Sequence, residues 1–180
     1  MKSKENDTCP ELLISSTIVR GAKTLIFDRD GTINVDNGYV HKITEFAFTQ
    51  QFVLLAPILE KFKGNICIIT NQGGVRLGMY SKNESQEFTR YVISKAKEKG
   101  IIVNLVAICY HHDKDSCDSR KPASGMLQKI EEVTESNRDR YLYIGNEKKD
   151  EEVARKRNIN YRDINSEKLE SFLVEWVRNP

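Results

Sequence analysis

An apolar stretch that runs directly into two aspartates constrains this chain more than any other feature. Residues 22–27 are mostly apolar and of strand length, and Asp28, Asp30, Gly31 and Thr32 follow immediately. A parallel strand that ends in carboxylates places them at the carboxyl edge of a sheet, where open α/β folds bind ligands. Two like charges held together need a proton or a cation between them. The stretch therefore predicts a functional site at a sheet edge, the alternative being a surface turn with two solvated aspartates.

Apolar runs of strand length alternate with helical periodicity along the rest of the chain. Strand-like runs lie at 65–70, 101–110, 140–145 and 159–162, and helical spacing at 50–63, 82–99, 124–135, 150–157 and 166–177. Pro57 is expected to kink the first of these helices or to start a new one, and Ser81 and Glu84 form a capping-box pattern. The alternation predicts a three-layer α/β fold with a parallel sheet.

Length and charge indicate one globular domain with a small-molecule partner. The chain has 180 residues and a net charge of +2, which is too small to indicate binding to nucleic acid or an anionic membrane. No apolar run approaches 18 residues, so we expect no membrane span. Four cysteines without a disulfide pattern are typical of a reducing cytoplasm. We expect a cytoplasmic monomer with its domain at 21–180. Residues 1–20 form an extension of unclear structure, in which 2–7 look disordered and 11–19 carry a short apolar set.

Polar residues end four consecutive strands and should meet in one crevice. They are Asp28 and Asp30, then Thr70 and Asn71, then Lys121 at the end of a long loop, and finally Asn146 and Asp150. Carboxylates, a hydroxyl and a lysine at the carboxyl ends of parallel strands suit phosphoryl transfer with Mg²⁺, which prefers oxygen ligands.

A cysteine-containing loop precedes Lys121. Cys109, His111 and Cys117 have the spacing of a small zinc loop. The fourth ligand is unclear, because His112 adjoins a candidate ligand and the hydroxyl of Ser119 is a poor zinc ligand. Three candidates without a good fourth predict a weak or absent Zn²⁺ site, the alternative being a polar loop with a reduced cysteine pair.

Several of these segments resemble the haloacid dehalogenase (HAD) superfamily of phosphatases. The matching segments are 28–36 (DRDGTINVD), 38–41 (GYVH), 70–72 (TNQ), 109–112 (CYHH), 117–122 (CDSRKP) and 125–127 (GML). Within the superfamily they are most similar to the D,D-heptose 1,7-bisphosphate phosphatases, which share much with the histidinol-phosphate phosphatases. The GYVH and GML segments favour the heptose enzymes.

The resemblance implies a role for each matching residue. Asp28 is the nucleophile that forms an aspartyl-phosphate, and Asp30 is the acid and base. Thr70 and Lys121 stabilise the transferring phosphoryl group, and Arg120 recognises the substrate. The other expected substrate-binding residues are Arg29, Asp36, Asn37, Gly38, Tyr39, Asn71, Gln72 and Gly73.

The resemblance also implies Mg²⁺ bound by Asp28, the Asp30 carbonyl and position 146, and Asp150 is a further predicted Mg²⁺ ligand. The segments between the motifs are too short for a large cap domain, so the site should be open. The implied activity is hydrolysis of a heptose bisphosphate by a HAD fold without a cap.

Three departures from the family pattern leave other functions open. Asn146 stands where the family has Asp, which removes one negative charge, although Asp150 or Glu147 could compensate. Ser119 replaces a zinc cysteine, and the arginine that follows Thr-Asn-Gln falls one place early as Arg76. The alternatives are a phosphatase for histidinol phosphate or polynucleotide 3′-phosphate, and a catalytically weakened binding protein.

Overall fold

The structure is a computed structural model that describes residues 9–179. Its strands are β1 (Glu11–Ile14), β2 (Thr24–Asp28), β3 (Asn65–Asn71), β4 (Leu105–Cys109), β5 (Tyr141–Gly145) and β6 (Asn160–Asp163). Its α-helices are α1 (Gln50–Lys61), α2 (Lys82–Glu98), α3 (Gly125–Thr134), α4 (Lys148–Arg157) and α5 (Leu169–Arg178). The predicted disorder at residues 2–7 lies outside the described residues.

The strands form one six-stranded sheet in the order β1-β4-β3-β2-β5-β6. Strands β2 to β6 run parallel to their neighbours, which confirms the predicted parallel sheet, while β1 pairs antiparallel with β4. The chain builds outward from β2 in both directions, through β3 on one side and β5 on the other. This point of reversal is where open α/β sheets form a crevice at the carboxyl ends of their strands.

Two apolar layers cover the faces of the sheet. Leu25 and Phe27 of β2 contribute to a core that includes buried residues of α1, α2 and α5, whereas Ile26 contributes to a core with residues of α3 and α4. Successive strand residues point to opposite faces, so β2 is buried on both sides. The structure therefore confirms the three-layer α/β fold.

Three local differences from the sequence expectations have physical reasons. Helix α1 continues through Pro57 as one helix. Thr49 is its N-cap, and the Thr49 side chain accepts a hydrogen bond from the Phe52 N–H. Strand β4 is shorter than expected, because the Asn104 side chain accepts a hydrogen bond from the Ile66 N–H in place of a backbone carbonyl (2.8 Å). Strand β1 was not predicted, since four residues paired along one edge carry little periodicity.

The predicted cap of the second helix is confirmed. Helix α2 has the capping box of Ser81 and Glu84. Among the described residues, no helix has the length and apolar character needed to cross a membrane.

Candidate active site

A buried lysine lies between two buried carboxylates at the carboxyl edge of the sheet. Lys121 Nζ donates to Asp28 Oδ1 at 2.5 Å and to Asp150 Oδ1 at 2.6 Å. The side chains of all three residues are at most 6% exposed. Asp28 is the last residue of β2, and Lys121 reaches it from the long loop after β4. The structure thus brings together the predicted nucleophile and the predicted phosphoryl-stabilising lysine.

Burial and neighbouring charge set the protonation of this group. Burial, together with the nearby carboxylate of Asp150, raises the pKa of the Asp28 carboxyl to about 7 against the opposing attraction of Lys121. Burial alone would lower the pKa of Lys121, but the carboxylates of Asp28 and Asp150 raise it above its ordinary value. Lys121 is therefore cationic, and its positive charge stabilises the ionised form of Asp28.

Asp150 was predicted to bind Mg²⁺, but in the structure its carboxylate accepts hydrogen bonds from protein groups. Its Oδ1 accepts from Lys121 and from the Tyr143 hydroxyl (3.1 Å), and its Oδ2 accepts from the backbone N–H groups of Asn146 and Glu147. Both oxygens are used within the protein, and the residue is fully buried. In this structure Asp150 positions Lys121 and the start of α4.

The second aspartate of the motif is held by a set of donors. Arg29 donates to Asp30 through Nε (3.0 Å) and Nη2 (2.9 Å), and Asn34 Nδ2 donates at 3.0 Å. Gln72 Nε2 donates to Asp30 Oδ2 at 2.8 Å and to Thr70 Oγ1 at 2.7 Å. These contacts fix the orientation of the Asp30 carboxylate beside the end of β3.

The expectation that Arg29 contacts substrate is corrected by its burial. The side chain is fully buried, donates to Thr89 Oγ1 and to the Val40 carbonyl, and lies over the Phe88 ring. Its guanidinium can reach Asp30 but not a ligand in the crevice. Arg29 is therefore a positioning residue for Asp30.

Two predicted substrate contacts turn out to organise the site. Asn71 donates to the Lys121 carbonyl and accepts from the Lys121 N–H, each at 3.0 Å, so it fixes the backbone that carries the lysine. The Oε1 of Gln72 accepts from the Tyr80 hydroxyl at 2.8 Å, which orients the amide toward Asp30. Tyr80 was missed by the sequence analysis, since a single tyrosine ahead of a helix gives no specific signal.

The Asn146 amide faces the oxygens that the predicted metal site requires. One terminal atom of this amide lies 3.2 Å from Asp28 Oδ2, 3.3 Å from the Asp30 carbonyl oxygen and 3.0 Å from Thr32 Oγ1. If that atom is nitrogen, its two N–H groups face these three acceptors. If it is oxygen, it completes a set of oxygens at close to the ~3.0 Å that separates adjacent ligands of an octahedral Mg²⁺.

The approach of this amide requires glycine at position 31. Gly31 has φ +80°, a conformation that L side chains rarely adopt, and a Cβ there would lie 2.5 Å from the Asn146 amide nitrogen. The Asp-Gly turn of the motif thus makes room for position 146 beside Asp28 and Asp30.

These groups surround an open pocket of about 250 Å³. Of the predicted residues, those that line it are Asp28, Asp30, Asp36, Gly38, Tyr39, Thr70, Asn71, Gln72, Gly73, Arg120 and Lys121. Asn37 is exposed and, like Arg29, Asn146 and Asp150, does not line the pocket. Glu147, named above as a possible replacement for the lost charge at position 146, also lines it and forms an ion pair at 2.6 Å with Lys149, which was not predicted there.

Arg120 presents its guanidinium to the pocket from a fixed position. Its Nε donates to Asp113 at 2.5 Å and its Nη1 donates to the His111 carbonyl at 2.7 Å. Arg76, which the resemblance places near this region, is largely exposed and pairs with Asp115.

The predicted zinc-loop residues meet next to this pocket, together with one residue that was not predicted. Cys109, His111 and Cys117 lie with Cys9 in a group whose ligand atoms are all within 4.8 Å of one another. Cys9 was missed because it stands 100 positions from Cys109, and no local spacing connects them.

Comparison with known proteins finds phosphatases. A family model described as polynucleotide kinase 3 phosphatase matches residues 23–167. The "Probable D-glycero-D-manno-heptose-1,7-bisphosphate 7-phosphatase" of Thermoplasma volcanium is 32% identical over 141 residues, which cover 78% of this chain and 97% of that protein.

Two solved structures share the fold. A "putative had-like phosphatase" from Mesorhizobium loti has a TM-score of 0.85 at 19% identity, over 96% of this chain and 95% of the other. D,D-heptose 1,7-bisphosphate phosphatase from B. bronchiseptica, complexed with magnesium and phosphate, has a TM-score of 0.71 at 22% identity, over 77% of this chain and 78% of the other.

The family match and the Thermoplasma volcanium relative define a phosphatase, a phosphoric monoester hydrolase, and its fold is shared with these solved phosphatase structures. The chain belongs to the polynucleotide kinase 3 phosphatase family.

Proposed function

We propose that the chain is a Mg²⁺-dependent phosphatase that hydrolyses a small phosphorylated sugar, with D,D-heptose 1,7-bisphosphate as substrate. The observation that carries this proposal is the buried Asp28 carboxylate, held on Lys121 at an open polar pocket beside Asp30. A carboxylate in that position can act as a nucleophile, and a cationic lysine can stabilise the transferring phosphoryl oxygens.

The reaction proceeds in two displacements at phosphorus. Asp28 attacks the phosphoryl group, the bond from phosphorus to the sugar oxygen breaks, and Asp30 gives that oxygen a proton. Asp30 then takes a proton from a water molecule, which attacks phosphorus and breaks its bond to Asp28. Arg29, Asn34 and Gln72 keep Asp30 in the orientation that both transfers need.

The residues that would hold Mg²⁺ are Asp28 through Oδ2, Asp30 through its carbonyl, and Asn146 through its amide oxygen. They fit in the amide orientation in which Asn146 Oδ1 accepts from Thr32 Oγ1 at 3.0 Å, because three oxygens then face one another and a cation between them would stabilise them. When bound, Mg²⁺ would neutralise part of the negative charge on the phosphoryl oxygens. Asp150 is assigned to Lys121 rather than to the metal.

Two groups in the pocket suit a second phosphate. Arg120 and Lys149 line it together with the Asp36–Tyr39 loop, and a planar guanidinium matches phosphate geometry. The names of the relative from Thermoplasma volcanium and of the B. bronchiseptica structure support a heptose bisphosphate. A polynucleotide 3′-phosphate is the second candidate, since the matching family model is described by that activity.

A substrate panel separates these candidates. Phosphate release is measured with Mg²⁺ and with EDTA on both anomers of heptose 1,7-bisphosphate, histidinol phosphate, fructose 1,6-bisphosphate and a 3′-phosphorylated oligonucleotide. One heptose anomer should have the highest kcat/KM, at least about tenfold above histidinol phosphate, since a hydrogen bond to a charged group contributes ~1.5–3 kcal/mol. The highest kcat/KM on the oligonucleotide would overturn the sugar assignment.

Replacing the amide at position 146 should strengthen metal binding. Asn146→Asp adds a negative charge beside the oxygens of Asp28 and Asp30, and the added attraction for a dication should lower the Mg²⁺ Kd by roughly tenfold or more. Titration calorimetry compares the variant with wild type and with Asn137→Asp, an exposed control. An unchanged Kd would place the metal elsewhere. Wild type without turnover at saturating Mg²⁺, revived by Asn146→Asp, would favour the weakened binding protein.

Removing the acid and base should expose the covalent intermediate. Asp30→Asn is expected to reduce turnover by ~10²–10⁴-fold, the usual contribution of a general acid and base. With p-nitrophenyl phosphate, whose leaving group needs little protonation, the variant should release one equivalent of nitrophenolate quickly and then turn over slowly. Stopped-flow absorbance checks this, with Asp139→Asn as an exposed control. Steady turnover at the wild-type rate would contradict the role of Asp30.

A further inference from the structure

Three thiols and an imidazole meet between the N-terminal segment and the loop that carries Arg120 and Lys121. The Sγ of Cys9 lies 3.5 Å from that of Cys109 and 3.3 Å from that of Cys117, and the last two sulfurs are 3.9 Å apart. The Nδ1 of His111 lies 3.8 Å from the Cys109 sulfur.

These distances match the edges of a zinc tetrahedron. With Zn–S bonds of ~2.3 Å, two sulfurs of a tetrahedral site lie about 3.8 Å apart, and with a Zn–N bond of ~2.0 Å a sulfur and a nitrogen lie about 3.5 Å apart. A disulfide brings its sulfurs to ~2.05 Å, and all three cysteines are free. The four atoms therefore surround a point at which one ion fits.

The resemblance already implies a structural Zn²⁺ in this loop. We infer that in this chain Cys9, from the N-terminal segment, supplies the fourth ligand beside Cys109, His111 and Cys117, in place of the cysteine that the family has at position 119. Thiolate and imidazole ligands in a tetrahedral set select zinc over magnesium or calcium. Four protein ligands leave no position for substrate water, so the site is structural.

Ser119 supports the site without being a ligand. Its backbone N–H donates to the Cys117 sulfur at 3.4 Å, a contact that stabilises a thiolate. Its side chain packs closely against Gly125, where an added Cβ would come within 2.7 Å of Ser119 Oγ. The cysteine missing from position 119 is thus replaced in space by Cys9.

The position of Cys9 connects this site to the fold and to the active site. Cys9 lies just before β1, which pairs with β4, and Cys109 is the last residue of β4. Cys117 lies four residues before Lys121. An ion at this point would fasten the edge strand to the loop that presents the phosphate-binding lysine.

Metal content and cobalt spectra of the full chain test the site. Wild type should retain one Zn²⁺ per chain after dialysis, and its Co²⁺ form should show thiolate charge-transfer and tetrahedral bands. Cys9→Ser should raise the zinc Kd by at least ~100-fold, the upper end of what loss of an outer-shell partner costs. Cys67→Ala, a cysteine outside the cluster, should bind like wild type.

A double variant distinguishes the loss of a zinc ligand from a failure to fold. Cys9→Ser/Ser119→Cys returns a third thiolate from within the loop and should recover the cobalt charge-transfer intensity lost in Cys9→Ser. Wild type that binds no zinc, Cys9→Ser with an unchanged zinc Kd, or a stable Cys9–Cys117 disulfide in place of metal would each overturn the inference.

Discussion

Asp28→Asn is expected to reduce phosphate release by about 10⁴-fold or more, the loss found when a nucleophile is removed from a covalent mechanism. An amide in place of the carboxylate cannot form the acyl-phosphate, and it also removes one oxygen charge from the metal site. The fold should persist, because Lys121 keeps its contact with Asp150. Steady-state release on the best substrate of the panel measures the effect.

The stability of this variant provides its control. Because the pKa of Asp28 is raised to about 7, its ionised form is costly at higher pH, and the neutral amide avoids that cost. The thermal midpoint of Asp28→Asn at pH 8 should therefore match or exceed that of wild type, while Asp139→Asn should keep full activity. Substantial activity in folded Asp28→Asn would remove Asp28 from the mechanism.

Lys121→Met should cost stability as well as activity. The substitution leaves the carboxylates of Asp28 and Asp150 buried without the cation between them, and breaking a buried ion pair in this way costs about 3–5 kcal/mol. Turnover should also fall, since the group that stabilises the transferring phosphoryl oxygens is lost.

The destabilisation should depend on pH. Without Lys121 the folded state binds a proton on the carboxylate pair at a pH where the unfolded carboxylates are ionised, so the stability of the variant falls as pH rises. Urea unfolding at pH 5 and pH 8 should give the larger loss at pH 8. Lys129→Met, at an exposed pair with Glu132, should change stability little, and Lys121→Met/Asp150→Asn should recover part of the loss. Equal, small losses at both pH values would show that Lys121 does not neutralise the pair.

The parts of this site that were predictable lie where strands end. Asp28 and Thr70 each follow an uninterrupted apolar run, so the strand period and the parallel topology place them at one edge of the sheet. Lys121 was predicted through the motif around it, and the structure places it on Asp28. The alternation of strands and helices was sufficient to predict the three layers.

The parts that were not predictable depend on contacts distant in sequence or on side-chain direction. Arg29 lies between two site aspartates, and nothing in its sequence position shows that it turns into the core toward Phe88. Asn71 appeared to be a ligand contact because it follows Thr70, but its partner is a backbone 50 positions away. Cys9 joins its cluster through the β1–β4 pairing, which periodicity did not reveal.

The mass of the phosphorylated enzyme shows directly whether Asp28 is the nucleophile. Asp30→Asn is mixed with p-nitrophenyl phosphate, whose leaving group needs little protonation, and Mg²⁺, then quenched in acid and digested, and the peptides are mapped by mass spectrometry. One phosphoryl group on the peptide that contains Asp28, lost when the phosphorylated protein is incubated at neutral pH, is the predicted result. Wild-type turnover of the same substrate combined with an unmodified Asp28 peptide, or with the phosphoryl group on another residue, would contradict the account.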